Sequence, residues 1–114
     1  MLTKEKQKTE KQILNEVKEH ALKNFLDLIV MIKLEKQPSS GYDLILYTEK
    51  RFKMLLSAGT IYSLLYSLER KQFITGFGQE GRRVYKLTDQ GKEMVKIIKK
   101  HHQEIERFTA SLLS

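Results

Sequence analysis

Two adjacent arginines, Arg82 and Arg83, are the residues of this sequence best suited to bind a charged ligand. They follow a segment, 76–81, with three glycines, which can supply the positive φ angles of a hairpin tip. A guanidinium is planar, permanently charged and weakly hydrated, so it suits the phosphates or the minor groove of a nucleic acid. With Lys86 nearby, the segment predicts a phosphate-binding hairpin; the alternative is an exposed tip that merely collects solvated charge.

A predicted helix over 57–72 carries a second set of candidate residues. Its apolar side chains at Ile61, Leu65 and Leu68 share one face and predict a buried stripe. The opposite face is small and hydroxyl-rich, which lets a helix enter the major groove and hydrogen-bond to base edges or phosphates. The alternative is a solvated face that happens to be rich in serine. The predicted DNA-binding residues are Ser57, Gly59, Thr60, Tyr62, Ser63, Tyr66, Ser67, Arg70, Arg82, Arg83 and Lys86.

The charge of the chain favours the same class of ligand. Lys and Arg number 21 against 14 Asp and Glu, which gives a net charge of +7 and a pI near 9.6. The segment 57–87 carries +3 of this excess, more than any other quarter of the chain. Such a surplus favours polyanions, nucleic acid before acidic lipid. A basic surface that serves only solubility is the alternative.

Other chemistry finds little support in the sequence. There is no cysteine, and no nucleophile elbow, P-loop or HExxH motif. The histidines are His20, His101 and His102, and the adjacent pair points about 100° apart on a helix, too far to chelate a metal together. We therefore predict neither an enzyme nor a metal or cofactor site.

The length of 114 residues predicts a single domain, 1–114, whose elements place these candidates. A capping-box pattern at Thr9 and Gln12, N-caps at Ser57 and Thr88, and apolar periodicity predict helices that are separated by one switch to β-prone residues. The order is that of a mainly α (α+β) winged helix-turn-helix with a two-stranded β wing. The predicted elements are an N-terminal core helix over 9–35, a second helix over 40–53, a recognition helix over 57–72, the wing over 73–87 and a last helix over 88–112.

The long terminal helices are predicted to form a homodimer interface. A seam of side chains at heptad spacing (4-3-4-3-4) runs along the last helix, which would be roughly 37 Å long and would overhang so small a domain. The alternative is a helix that lies on its own domain's core. The predicted interface residues are Ile13 and Val17 together with the terminal seam, which consists of Met94, Ile98, His101, Ile105, Phe108 and Leu112.

Short segments spread over about 22–93 follow one another in a specific order and with specific gaps. They are FLDLIV at 25–30, SGYDL at 40–44, SAGTIY at 57–62, LER at 68–70, FI at 73–74, GRRVYKLT at 81–88 and Gly91. In these segments the sequence resembles the PadR family of winged-helix transcriptional regulators. The resemblance implies a dimer in which the C-terminal helix packs on its partner, and operator DNA bound near Thr60, Tyr62 and the wing arginines. The short C-terminal region is similar to the compact branch of the family, which ends in one helix.

The sequence departs from the family pattern at three positions. The family often has His where Ser40 stands, Pro where Ala58 stands and Gly where Gln72 stands. Ser40 can still cap a helix, and Ala58 begins one well. Gln72 adopts a left-handed conformation less readily than glycine does, so the sequence does not determine the turn that follows the recognition helix.

The leading hypothesis is sequence-specific transcriptional regulation by a homodimer on a palindromic operator in double-stranded DNA. Two alternatives keep the fold: a DNA-structural or replication-arrest protein, and a protein–protein adaptor. Membrane-surface binding is disfavoured because glutamates such as Glu5 and Glu16 interrupt the basic N-terminal face. Without a secretory signal or a sufficiently apolar segment, the expected location is cytoplasmic. Some PadR-like proteins sense aromatic molecules at the dimer interface, and whether this chain binds such an effector is left open.

Overall fold

The computed structural model describes residues 7–114, so Glu5 and the rest of 1–6 lie outside the described chain. The elements follow the order predicted for a winged helix, and the fold class is confirmed. Within the described residues they are α1 (Glu10–Asn24), α2 (Leu26–Lys36), β1 (Ser39–Ser40), α3 (Gly41–Phe52), α4 (Ala58–Arg70), β2 (Ile74–Gln79), β3 (Arg82–Leu87), α5 (Asp89–Lys100) and α6 (His102–Ser111).

The wing belongs to a sheet with one strand more than predicted. β2 and β3 pair antiparallel from Ile74 opposite Leu87 to Gln79 opposite Arg82, which confirms the two-stranded wing. The other edge of β3 pairs with β1, giving the order β1-β3-β2 in the part of the chain described. This third strand was not predicted from the sequence, because a two-residue strand that follows Pro38 is too short to show alternation.

The predicted helix over 9–35 divides at Phe25. This residue has φ −106° and ψ 10°, far from the helical ψ near −42°. Backbone hydrogen bonds continue across the distortion, from Phe25 N to Ala21 O (3.2 Å) and from Ile29 N to Phe25 O (3.0 Å). Neither Pro nor Gly marks the position. The division coincides with packing, since α2 lies in the core while α1 extends away from it and buries Leu22.

The predicted helix over 88–112 divides in the same way at His101, which has φ −106° and ψ 25°. One continuous C-terminal helix was therefore a wrong prediction, and two helices end the fold. Again the division separates a packed from a projecting segment: α5 buries Val95 against the domain, whereas α6 leaves most of its surface exposed. An ion pair between Lys99 and Glu35 on α2 ties down the last turn of α5.

The core lies where α2, α3, α4, the sheet and α5 meet. The predicted buried stripe of α4 is confirmed, because Ile61, Leu65 and Leu68 are at most 2% exposed. Each such side chain contributes roughly 1.5–3 kcal/mol by leaving water. The stripe fixes the rotation of α4, and the opposite face of this helix consequently points to solvent. Other buried members of the core are Val30, Met31, Leu34, Leu44, Ile74, Tyr85 and Val95.

The turn after α4 is made without glycine. Gln72 adopts a left-handed conformation with φ 66°, and Phe73 N donates to Leu68 O at 3.0 Å to close the helix end. A left-handed residue other than glycine costs roughly 1–2 kcal/mol. The turn after α4, which the sequence alone did not determine, is thus the left-handed turn that is common at helix ends. It lowers the stability of the fold because Gln72 is not a glycine.

None of the helices described in 7–114 combines the length and the hydropathy needed to cross a lipid bilayer.

Candidate nucleic-acid interface

The N-terminus of α4 is exposed and capped. Ser57 accepts a hydrogen bond from Thr60 N at 3.1 Å, and the two hydroxyls lie 2.9 Å apart. Ser57 is thereby the N-cap that the sequence predicted. A capped helix N-terminus presents backbone N–H groups and a positive dipole end, both favourable to phosphate.

The candidate residues of the recognition helix share its solvent side. Exposed positions alternate with the buried stripe, as the helical wheel predicted. Tyr66 projects furthest, and the guanidinium of Arg70 lies 5.8 Å from the centre of its ring. Ser57, Gly59, Tyr62, Ser63, Tyr66 and Arg70 are exposed, whereas Thr60 and Ser67 are half-buried.

Tyr62 packs against the preceding helix, α3. Its ring lies directly on Gly41, in the first turn of α3, where an added Cβ would stand 2.5 Å from ring atoms. Glycine at this position therefore lets the two helices of the helix-turn-helix meet through Tyr62. The ring is nevertheless 48% exposed, so one face remains available to a ligand.

Ser40 and Asp43 form a reciprocal cap at the start of α3. Ser40 Oγ accepts from Asp43 N at 3.0 Å, and Asp43 Oδ2 accepts from Ser40 N at 2.9 Å. The bond that the Asp43 carboxylate accepts from Ser40 N, together with the Ser40 hydroxyl and the nearby Arg82 guanidinium, outweighs desolvation and holds the pKa of Asp43 below its ordinary value of 3.8. The carboxylate thus stays charged beside the wing.

This lowered pKa predicts an acid-dependent difference between the wild type and Asp43→Asn. A carboxyl with a folded-state pKa below its unfolded one stabilises the fold above the unfolded value, and this contribution disappears as pH falls through the folded value. The variant should be less stable by at most about 1 kcal/mol near neutral pH, since the group is partly exposed. The difference should shrink below about pH 3. Urea unfolding at both pH values measures it, and a pH-independent difference would contradict the assignment.

The tip of the wing differs from the glycine-rich tip that the sequence suggested. Gly76 and Gly78 lie within β2, and the turn is made by Glu80 (φ 52°) and Gly81 (φ 76°). Two residues with positive φ form the tight turn whose twist matches that of paired strands. Arg82 therefore follows the turn immediately, opposite Gln79.

Both wing arginines are engaged by carboxylates of the helix-turn-helix. Arg82 reaches Asp43 at 3.5 Å through two nitrogens, and Arg83 Nη2 lies 2.7 Å from Glu69 Oε2. These partners stand 39 and 14 positions away along the chain, so the sequence showed no sign of them. Both arginine side chains remain about half exposed, so neither is withdrawn from a ligand.

Asp43 and Glu69 were missed as components of the site. Their neighbours along the chain do not indicate that either carboxylate contacts the wing, and only the meeting of the wing with α3 and α4 reveals these contacts. Lys86, by contrast, stays exposed with its Nζ 5.4 Å from the ring centre of Phe77. The wing is thus joined to α4 through Arg83 and Glu69, and to α3 through Arg82 and Asp43.

The predicted interface residues fall into two groups. Met94, Ile98 and Ile105 are half-buried, and Met94 packs against the domain's own core, as the alternative interpretation of this helix expected. His101 is exposed at the junction of α5 and α6. The other predicted interface residues lie on α1, on α6 or directly after α6, and their side chains are 50–64% exposed. This exposed group consists of Ile13, Val17, Phe108 and Leu112, and Leu14 on α1 and Ile97 on α5 are further exposed apolar residues.

Solved structures with this fold are transcriptional regulators. A PadR family transcription regulator from hypervirulent Clostridium difficile R20291 is 27% identical, with a TM-score of 0.67 over 79% of this chain and 99% of the other. A Streptococcus transcriptional regulator is 26% identical (TM-score 0.65; 82% and 97%). A PadR-like regulator from Bacillus cereus strain ATCC 14579 is 24% identical (TM-score 0.71; 83% and 97%).

Comparison with curated protein sequences gave no match. The model of the transcriptional regulator PadR-like family matches residues 30–107, which include the helix-turn-helix, the wing and most of the C-terminal helices. This match covers well over half of the chain. The protein therefore belongs to the PadR-like family of transcriptional regulators, which are not enzymes.

Proposed function

We propose that this transcriptional regulator binds a palindromic operator as a homodimer, with α4 in the major groove and the wing on the adjacent backbone. The observation that carries the proposal is the exposed hydroxyl-rich face of α4 beside two wing arginines that contact the helix-turn-helix, Arg83 at Glu69 of α4 and Arg82 at Asp43 of α3. Acting on chromosomal DNA would place the protein in the cytoplasm.

Each part of this surface suits a different feature of DNA. Hydroxyl and phenol groups of α4 can hydrogen-bond to base edges, which carry sequence information. The N-terminus of α4 and the wing cations suit phosphates, which position the protein without specifying a sequence. The base-edge group comprises Thr60, Tyr62, Ser63, Tyr66, Ser67 and Arg70, and the phosphate group comprises Ser57, Gly59, Arg82, Arg83 and Lys86.

The apolar side chains exposed on the terminal helices support the proposed dimerisation. Ile13 and Val17 on α1 and Phe108 and Leu112 on α6 are each at least half exposed in the monomer. A second copy would remove these side chains from water, at a gain of about 25 cal/mol per Å². A two-fold dimer presents two recognition helices, and a palindrome matches that symmetry.

Arg82→Ala is expected to reduce the salt dependence of DNA binding. Each phosphate bound by a cation releases counterions, so removal of one such cation lowers the log–log salt slope by about 0.9, and the substitution acts twice in a dimer. The slope should therefore flatten by up to about 2. Fluorescence anisotropy titrations at several salt concentrations measure it, on a duplex selected by the wild-type chain from a random library and on an unselected duplex.

Arg107→Ala is the matched control, because it removes the same charge from α6, away from the wing. It should leave the slope nearly unchanged. Slopes equal to that of the wild type in both Arg82→Ala and Arg83→Ala would mean that the wing does not touch DNA. The protein–protein adaptor would then be the better hypothesis, and salt-sensitive binding without any preference between the duplexes would favour the DNA-structural alternative.

A further inference from the structure

One carboxylate of α4 holds both strands of the wing. Glu69 Oε2 accepts a hydrogen bond from Arg83 Nη2 on β3 at 2.7 Å and from Gly76 N on β2 at 3.3 Å. Glu69 lies in the last turn of α4, the helix proposed to read the major groove. These two hydrogen bonds therefore fix the position of the wing relative to α4 more closely than the backbone turn between them would alone.

The path of Arg83 depends on a glycine. An added Cβ at Gly76 would stand 2.7 Å from Cζ, Nε and Nη2 of Arg83, so the guanidinium crosses directly over this residue. Its other neighbour is the ring of Tyr85, whose centre lies 5.6 Å from Cζ. Tyr85 is buried and cannot yield. Glycine, tyrosine and glutamate thus enclose the guanidinium on three sides while its outer side remains open.

The two wing arginines consequently differ. Arg82 meets Asp43 only at 3.5 Å, and that carboxylate already accepts from Ser40 N in the cap of α3. Arg83 makes a short contact with one nitrogen, and a guanidinium has five N–H donors. Arg83 can therefore bind a phosphate without leaving Glu69, in an orientation fixed before DNA arrives, and preorganisation of this kind lowers the entropic cost of binding.

We propose that Glu69 is a positioning residue that holds the wing through Arg83 and so sets how well the protein distinguishes its operator from other DNA. The inference rests on the DNA-binding function proposed above. Glu69 acts in two opposite ways: its negative charge repels every phosphate backbone, whereas the fixed wing favours only the site whose shape fits it. Glu69 therefore lowers the affinity of the protein for DNA in general and raises the ratio of its affinity for the operator to its affinity for other DNA.

Glu69→Gln separates the two effects, because the amide oxygen can still accept from Gly76 N while the charge pairing with Arg83 disappears. Affinities are measured by anisotropy on the selected and unselected duplexes of equal length. The unselected duplex should bind more tightly to the variant, and the selected duplex should gain less or lose affinity. The ratio of the two affinities should fall by roughly two- to tenfold, the value of one oriented hydrogen bond.

Glu80→Gln is the matched control, since it removes the same charge from the turn of the same wing. It should tighten both duplexes alike and leave their affinity ratio unchanged. A double-mutant cycle with Arg83→Gln tests the route: in the Arg83→Gln background, adding Glu69→Gln should not lower the ratio further. Melting temperatures identify any variant that is partly unfolded, and ratios are compared at temperatures where all variants are folded.

Equal tightening of both duplexes by Glu69→Gln would overturn the inference, because Glu69 would then act as a charge only. A further fall of the ratio in the Arg83→Gln background would also overturn it, since Glu69 would not act through Arg83. Both results leave the proposed function standing, provided that the wild type prefers the selected duplex. A wild type that binds neither duplex would instead refute the proposed function, and the inference with it.

Discussion

Gly91→Ala is expected to destabilise the protein by about 2–4 kcal/mol, although alanine is normally the better residue in a helix. Gly91 is the third residue of α5, and an added Cβ would stand 2.1 Å from Phe73 O. That carbonyl cannot move away, because it accepts a hydrogen bond from Thr88 N at 3.0 Å. The start of α5 would have to shift and would disturb the cap that Thr88 makes to Gly91 N.

Gly78→Ala is the matched control, because an added Cβ there meets nothing within 4 Å. Its effect on the free energy of unfolding should stay within about 0.5 kcal/mol, or favour the variant slightly. Urea unfolding of both variants gives the comparison. Helix propensity alone predicts that Gly91→Ala stabilises by up to about 1 kcal/mol. The steric argument and helix propensity therefore predict opposite signs for the change in the free energy of unfolding. A stabilised Gly91→Ala variant would refute the close approach of Phe73 O to Gly91.

The second large effect is expected from Phe108→Asp combined with Leu112→Asp. Both side chains are mostly exposed in the monomer, at 64% and 60%, so the variant should fold normally. In the proposed dimer each aspartate would be buried without a partner, at several kcal/mol per charge. The dimer should therefore dissociate at concentrations at least roughly a hundredfold above those of the wild type. Analytical ultracentrifugation over a concentration series measures this change.

Leu46→Asp is the control for this experiment, since Leu46 is an exposed apolar residue (45%) on α3, away from the terminal helices. It should leave the sedimentation of the protein unchanged. Circular dichroism checks that each variant keeps its helices. A double variant that sediments like the wild type would exclude α6 from the interface, and a monomeric wild type would remove the dimer from the proposed function.

The features that the sequence predicted correctly are those that depend on neighbours along the chain. The Thr9–Gln12 capping box and the N-caps at Ser57 and Thr88 are hydrogen bonds between residues three positions apart. Local geometry decides them, whatever surrounds the helix. The buried stripe of α4 is predictable for a related reason, because helical periodicity decides which residues share a face before anything packs on it.

The candidate site was predictable in part for the same reason. The exposed face of α4 follows from the stripe opposite it, and the wing cations follow from their place beside a tight turn. What these cations contact was beyond the sequence. Asp43 and Glu69 reach the wing only because α3, α4 and the sheet pack together, and sequence separations of 39 and 14 leave no periodic signal.

The tertiary structure alone decided where the long terminal helices divide and which glycines are indispensable. Phe25 and His101 carry no helix-breaking chemistry, and the helices divide there because one side packs on the core while the other leaves it. Gly91 lies within a helix, where glycine is normally unfavourable. Its role is explained only by the tertiary contact with the backbone oxygen of Phe73, the residue that precedes β2. Local interactions thus determine helix starts and faces, whereas contacts between distant segments decide shape, because steric exclusion acts only once those segments meet.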